Sequence, residues 1–175
     1  MRVISGKFKG TPLQSPKGDK VRPTGDKVKE AVFAKLSFDL PDSRVLDLFC
    51  GSGALGIEAL SRGAKEVVFV DKHRDSVLIT KQNLEKVKVK TPVYLRDAIL
   101  ALKSVTEPFD IIFIDPPYMS KLYTPVLQVI KDKNLLKPDG VIICEHPKEL
   151  QIDMCGFDVF DKKNYGTVMV SYLRN

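Results

Sequence analysis

Tryptophan is absent from the 175 residues, and histidine and cysteine are scarce, at two and three. His73 and His146 have no neighbouring ligands at metal spacing, which argues against a zinc site. Cys50, Cys144 and Cys155 are odd in number, lack Cys-x-x-Cys spacing and sit in apolar surroundings. A disulfide framework is therefore excluded, and small buried hydrophobes in a reducing compartment are expected. No run of about 18 apolar residues occurs, and no apolar stretch follows the basic residues of the N-terminus, so neither a membrane span nor a signal peptide is supported. A cytoplasmic protein is expected. Repeats and low-complexity tracts are also missing. What remains is 43% hydrophobic and 29% charged, on a chain long enough to bury a single core without staples.

Charge is unevenly placed. Residues 1–35 hold nine Lys/Arg against three acids, whereas the remaining 140 residues balance at nineteen of each. The whole net charge of +6 thus sits in the first fifth of the chain. A polyanion is the natural partner of such an arm, with a merely solvated basic face as the bland alternative. Arg2, Lys7, Lys9, Lys17, Lys20 and Arg22 are the candidate RNA-contacting residues.

Residues 2–22 alternate short apolar pieces with Gly6, Gly10, Pro12, Pro16 and Gly18, which predicts a basic hairpin-like extension over 1–22 ahead of the main domain, 23–175. Thr24 or Asp26 can cap a helix running to about Phe38, with Val28, Ala31, Val32 and Leu36 at helical spacing. From Arg44 onward strand-like runs alternate with helical stretches. Strands are predicted at 45–49, 67–70, 93–95, 111–114, 141–144, 157–160 and 167–173, and helices from Ala54 to about Gly63, over 75–86, near Ala98 and over 122–130. Near-continuous apolar runs such as Ile111-Ile112-Phe113-Ile114 suit strands covered on both faces. The expected fold is an α/β, Rossmann-like, doubly wound, seven-stranded and mostly parallel sheet, with one antiparallel strand from a C-terminal hairpin. That strand is expected at the sheet edge, and residues 162–166 as the hairpin loop.

Two segments carry chemistry. Val45 to Gly56 is an apolar strand that ends in a glycine-rich turn and opens into a helix, so the backbone can turn sharply and offer helix N–H groups to a ligand. Gly51, Gly53 and Gly56 also satisfy Gly-x-Gly-x-x-Gly, which nominally permits NAD. Asp47 tips the balance, because a carboxylate in the preceding strand repels a pyrophosphate and welcomes an ammonium group such as that of methionine. Asp71, at the end of the next strand, can accept from both ribose hydroxyls, and Asp97, after the third, from the adenine amino group. Each acid taken alone could equally be a helix cap or surface charge.

The second segment, Phe109 to Tyr118, is a strand ending in Asp115-Pro116-Pro117-Tyr118. The prolines stiffen the backbone and remove two N–H donors, leaving the Pro116 carbonyl to accept. Asp115 and that carbonyl could hold both N–H groups of an exocyclic base amine and orient its lone pair toward a methyl sulfonium, with Tyr118 stacked on the base. A base within a helix would have to be flipped out to reach it.

These motifs resemble those of the class I, Rossmann-like amino-methyltransferases, and more narrowly the bacterial 16S ribosomal RNA guanine-N2 methyltransferases of the RsmD type. The narrower resemblance rests on 1–10, on Arg22-Pro23-Thr24 with Asp26, Val28, Glu30, Ala31 and Phe33, on 47–58, on 115–118 and on Tyr165-Gly166. It implies methyl transfer from S-adenosyl-L-methionine to N2 of a guanine in ribosomal RNA of the assembled or assembling small subunit. It also implies that Thr24 closes over the cofactor and that the basic hairpin grips RNA. Residues and resemblance together mark Thr24, Asp47, Phe49, Gly51, Ser52, Gly53, Asp71, Lys72, Asp97 and Ala98 for the cofactor, and Asp115, Pro116, Pro117 and Tyr118 for catalysis. A monomer is expected. Two departures are visible: Cys50 replaces a small residue, and Asp71 stands where a longer Glu is common.

Four rival readings stand beside this one, of which a protein-glutamine methyltransferase is disfavoured because that resemblance would want Asn at position 115 and a less basic arm. An adenine-N6 methyltransferase would use the same Asp-Pro-Pro-Tyr chemistry, and site chemistry alone does not separate the two. A non-catalytic nucleic-acid-binding protein with a Rossmann-like core is disfavoured by the intact acids. A C5-cytosine enzyme would need a cysteine nucleophile, and no Pro-Cys pair exists.

Overall fold

The computed structural model describes residues 1–15, 26–117 and 120–175. Helix α1 (Asp26–Lys35) precedes an alternating series: β1 (Arg44–Asp47), α2 (Ala54–Ser61), β2 (Glu66–Asp71), α3 (Arg74–Lys86), β3 (Val93–Leu95), α4 (Ala98–Ser104), β4 (Phe109–Ile114), α5 (Tyr123–Asp132) and β5 (Leu136–Pro147). The hairpin β6 (Asp158–Tyr165) and β7 (Val168–Arg174) ends the chain. One seven-stranded sheet runs in the order β3-β2-β1-β4-β5-β7-β6. The pairings from β3 through to β5 are parallel, and β7 is antiparallel to both β5 and β6.

Side-chain alternation divides the core into two layers. Val45, Val67, Phe69, Ile111, Phe113, Val141 and Ile143 pack with residues of α1, α2 and α3. Leu46, Val68, Val70, Ile112, Ile114, Ile142 and Cys144 pack with residues of α4 and α5. This is why the β4 run reads as continuously apolar: Ile111 to Ile114 are each no more than 1% exposed, each side chain contributing about 1.5–3 kcal/mol by leaving water.

Three expectations change on folding. The antiparallel strand does not lie at the edge, because β7 inserts between β5 and β6 and leaves β6 outermost. The 162–166 loop is mostly strand, since β6 continues to Tyr165 and the turn shrinks to Gly166-Thr167. Its Lys162 and Lys163 read as loop because an edge strand tolerates charge, which also discourages pairing with another chain. Helix α1 stops at Lys35, three residues short of Phe38, and Phe38 is 96% exposed. Cys50 and Cys144 are buried, and burial holds both thiols far above their ordinary range; Cys155 is half-buried.

The N-terminal segment folds back as a hairpin. Val3 N–H donates to Thr11 O (3.0 Å) and Gly10 N–H to Val3 O (2.9 Å), while Val3 and Leu13 enter the α1–α3 layer of the core. Its turn lies so close to the last residue of α2 that a Cβ on Gly6 would sit 1.9 Å from the Ser61 carbonyl oxygen. Only glycine fits there, and its φ of 80° is also one that other residues rarely adopt. Buried Glu58 anchors the incoming strand by accepting from Ile4 N–H (2.8 Å) and Ser5 N–H (3.0 Å).

Candidate active site

Strand order reverses between β1 and β4, where consecutive crossovers leave for opposite sides of the sheet, and a crevice forms beyond the carboxyl ends of such strands. Register then places the acids. Asp47 is level with Phe69 of β2 and Phe113 of β4. Asp71 and Asp115 each lie two residues further along, about 7 Å at the rise of a strand, and an even step keeps all three on the α1–α2 face. The glycine turn closes the near end. Gly53 has φ 76°, and a Cβ there would meet the Thr80 methyl at 2.9 Å, so the turn accepts no side chain at this position. At Gly56 a Cβ would come within 2.2 Å of the Phe69 ring, which is how the third glycine lets α2 lie against β2. Ser52 is buried, and its carbonyl accepts from Asn83 Nδ2 (2.9 Å), fixing the turn to α3.

Asp47 is 2% exposed and accepts from Gly56 N–H at 2.9 Å. Burial pushes its carboxyl up to about 7, against the lowering effect of that bond. Such a group calls for a cationic partner. Asp71 orders the next turn through Gly51 N–H (2.9 Å) and His73 N–H (2.8 Å), one on each oxygen. A carboxylate has about four lone-pair sites, so two ribose hydroxyls can still be received. Asp97 caps α4, its Oδ1 accepting from Ile99 N–H (2.9 Å) and Leu100 N–H (3.2 Å). The cap reading is thus realised here, and it leaves the residue beside Asp71 because Arg96 N–H donates to the Asp71 carbonyl at 2.9 Å. Ala98 is buried behind it, Phe49 half-buried and Lys72 exposed. The donor set fits S-adenosylmethionine: an anionic pocket for its ammonium group, acceptors for a ribose, and a turn stripped of side chains for close approach.

Asp115 follows β4 directly, with Pro116 buried and Pro117 exposed. Burial, then Glu145, then Asp47 hold its carboxyl well above the ordinary carboxylate range. Tyr118 and Thr24 lie outside the described residues, as do Lys17, Lys20 and Arg22. Arg2, Lys7 and Lys9 are exposed on the hairpin, but Lys7 N–H donates to the Ser61 carbonyl at 2.7 Å, at the end of α2 away from the glycine turn. An eight-residue helix is about 12 Å long, so these lysines are separated from the acid crevice by that length. The hairpin's other end comes closer. Gln14 N–H donates to Asn83 Oδ1 at 2.8 Å, and the same Asn83 holds Ser52.

Sequence reasoning missed Glu145. It ends the apolar run 141–144 as Asp115 ends 111–114, and that shared pattern was the signal that could have found it. With Lys29, Val32, Leu55, Phe113 and Val170, the two acids line one crevice beneath α1. Tyr123 was missed too; its hydroxyl donates to the Glu145 carbonyl at 2.7 Å. No helix among the described residues is long and apolar enough to cross a membrane.

Comparison with known proteins identifies the family. The family model described as Conserved hypothetical protein 95 matches residues 1–174. YlbH of Bacillus subtilis is 39% identical, with 98% of this chain and 97% of that protein covered. Ribosomal RNA small subunit methyltransferase D of Haemophilus influenzae is 36% identical over 85% of this chain and 80% of its own length. Among solved structures, that of Thermus thermophilus RsmC, a 16S rRNA N2 G1207 methyltransferase in complex with S-adenosylmethionine and guanosine, superposes with a TM-score of 0.76 at 26% identity. The match covers 90% of this chain and 44% of RsmC. A family match over nearly every residue, together with this sheet order and its row of acids, shows that the chain belongs to the RsmD family of S-adenosylmethionine-dependent rRNA methyltransferases.

Proposed function

We propose that this protein transfers a methyl group from S-adenosylmethionine to the exocyclic N2 of a guanine in 16S ribosomal RNA, acting as a cytoplasmic monomer on the assembled or assembling small subunit. The observation that carries the reading is the row of Asp47, Asp71 and Asp115 on one face at the carboxyl edge of the sheet, beside the side-chain-free turn at Gly51 to Gly53. Asp47 takes the ammonium group of the methyl donor, Asp71 its ribose and Asp97 its adenine edge; Ser52, Phe49, Lys72, Ala98 and Thr24 complete that pocket. Asp115 and the Pro116 carbonyl accept from the target amine. That amine is a weak nucleophile because its lone pair is delocalised into the ring, so orienting it is the main catalytic task. The nitrogen bonds to the methyl carbon as the carbon–sulfur bond breaks, its electron pair staying on sulfur. The amine's surplus proton then passes to Asp115 or to water. Pro117 stiffens the turn and Tyr118 stacks on the flipped base. The basic residues Arg2, Lys7, Lys9, Lys17, Lys20 and Arg22 hold the phosphate backbone, sequence-independently.

The experiment is methylation of small subunits lacking the modification, with labelled S-adenosylmethionine. Asp115→Ala is expected to lose turnover while retaining affinity for the methyl donor, and equal turnover in that variant would sink the assignment. Nucleoside digestion of the product distinguishes N2-methylguanine from N6-methyladenine.

A further inference from the structure

Resting on the RNA-substrate reading above, we propose that Lys148, Lys162 and Lys163 form a second RNA-binding surface, at the carboxyl edge of the sheet, that holds the phosphates flanking the target nucleotide. The placement follows from register. β5 runs parallel to β4, and β7 and β6 are then antiparallel in turn, so the end of β5 and the β6–β7 turn both lie at the edge where the acids stand. Pro147 and Tyr165 are each opposite Val168, and Lys148 N–H donates to the Thr167 carbonyl at 3.1 Å, which ties Lys148 to that turn. Ile114 is paired with Cys144, so on the next level one row runs across the crevice face from Asp115 through Glu145 and Val170 to Lys163. Three interstrand spacings separate Lys163 from Asp115, about 14 Å along that row. Lys162, one residue earlier, takes the opposite face, level with Ser171. All three lysines are exposed.

Charge gives the surface its partner. Flipping turns a nucleotide about its own backbone, so the flanking phosphates stay at the mouth of the pocket while the base goes in. The acids of the crevice do not attract them, and the exposed hairpin residues Lys7 and Lys9 sit at the far end of α2. Cations at the mouth meet the need, and such contacts fix the position of the strand without reading its sequence. Near the turn the three lysines stand with one exposed acid, Glu149. Asp161 holds Lys35 at 2.8 Å and lies 3.7 Å from Lys163, whose side chain is 58% exposed; a pair of that kind contributes little, and a phosphate can replace it. Protection of the sheet edge accounts for Lys162 and Lys163 on the outermost strand, but not for Lys148, which follows the interior strand β5.

The test measures binding to small subunits lacking the modification over a series of salt concentrations. Lys148→Gln with Lys162→Gln and Lys163→Gln should reduce the slope of log Kd against log salt by about 2, at about 0.7 per single-stranded phosphate, and weaken binding roughly fivefold per lysine at about 0.1 M salt. Affinity for S-adenosylmethionine and the thermal midpoint should keep their wild-type values. Arginine at the same three positions keeps the charge and should restore the slope, and Lys148→Gln alone, outside the strand ladder, should remove about a third of the effect. In subunits reconstituted from ligated RNA, the phosphates on either side of the mapped target nucleotide are replaced by neutral methylphosphonates. That change should weaken wild-type binding and cost the triple glutamine variant little more; strictly additive losses overturn the proposal. So does an unchanged salt slope, including one accompanied by self-association of the variant, the result that edge protection alone predicts. Wild-type protein that neither binds nor methylates the subunits refutes instead the reading on which the proposal rests, and is seen before any variant is made.

Discussion

Replacing Glu58 by alanine should remove the anchor of the N-terminal hairpin and a large part of the fold's stability. The Glu58 side chain is fully buried and that of Lys29 is 4% exposed, with 3.4 Å between their charged atoms. Alanine leaves the Lys29 ammonium held by the Arg2 carbonyl (2.7 Å) but without its ion-pair partner Glu58, a loss that typically costs about 3–5 kcal/mol in buried pairs. Arg62, paired to Glu58 at 2.8 Å, is 18% exposed and can turn to water, adding little. The Ile4 and Ser5 amides lose their acceptor and regain water only if the hairpin lifts. A total of about 4 kcal/mol corresponds to a fall in Tm of roughly 8–16 °C for a chain of this size. Guanidinium denaturation measures the first quantity, and hydrogen exchange at the amides of residues 3–5 reports the lifting. Glu58→Leu combined with Lys29→Met should recover most of the loss, since an apolar pair of similar volume removes the stranded charge. A loss below about 1 kcal/mol with unchanged amide protection would refute the reasoning.

Other expectations follow from the same geometry. Asp47 has a carboxyl raised to about 7 in the fold, so it binds its proton more tightly folded than unfolded; its contribution is full below about pH 4 and is lost as pH rises through 7, by roughly 4 kcal/mol. Denaturation midpoints measured across that range without S-adenosylmethionine should fall, and Asp47→Asn should flatten the profile. Affinity for S-adenosylmethionine should move the other way, rising with pH up to about 7 in calorimetric titrations, because its ammonium group needs the ionised carboxylate. Gly56→Ala should destabilise by about 1–3 kcal/mol through overpacking against Phe69, read from the thermal midpoint. Lys7→Ala with Lys9→Ala should reduce the slope of log Kd for RNA against log salt by about 0.7 for each phosphate that is no longer neutralised. An unchanged slope would remove the hairpin tip from the RNA interface. Point substitutions are preferable to deleting residues 1–20, because Val3 and Leu13 belong to the core.

Local chemistry was legible in the chain itself. The glycine turn, each acid at its strand end, and the stiff Asp115-Pro116-Pro117 segment are each written within a few consecutive residues, and the alternation of apolar strands and amphipathic helices implies a parallel sheet. Which acids share a face was not legible, because a strand's side chains alternate and one residue of register would turn Glu145 into the opposite layer. Only the pairing of Ile114 with Cys144 puts it beside Asp115. The hairpin shows the same limit. Its basic composition suggested an appended arm, whereas Glu58, fifty-odd positions away, binds it into the main core. Charge made the edge strand β6 resemble a loop, and its pairing with β7 made it a strand. Sequence alone determined what chemistry each segment can perform; tertiary structure decided which segments perform it together, since contacts between distant residues depend on sheet order and register.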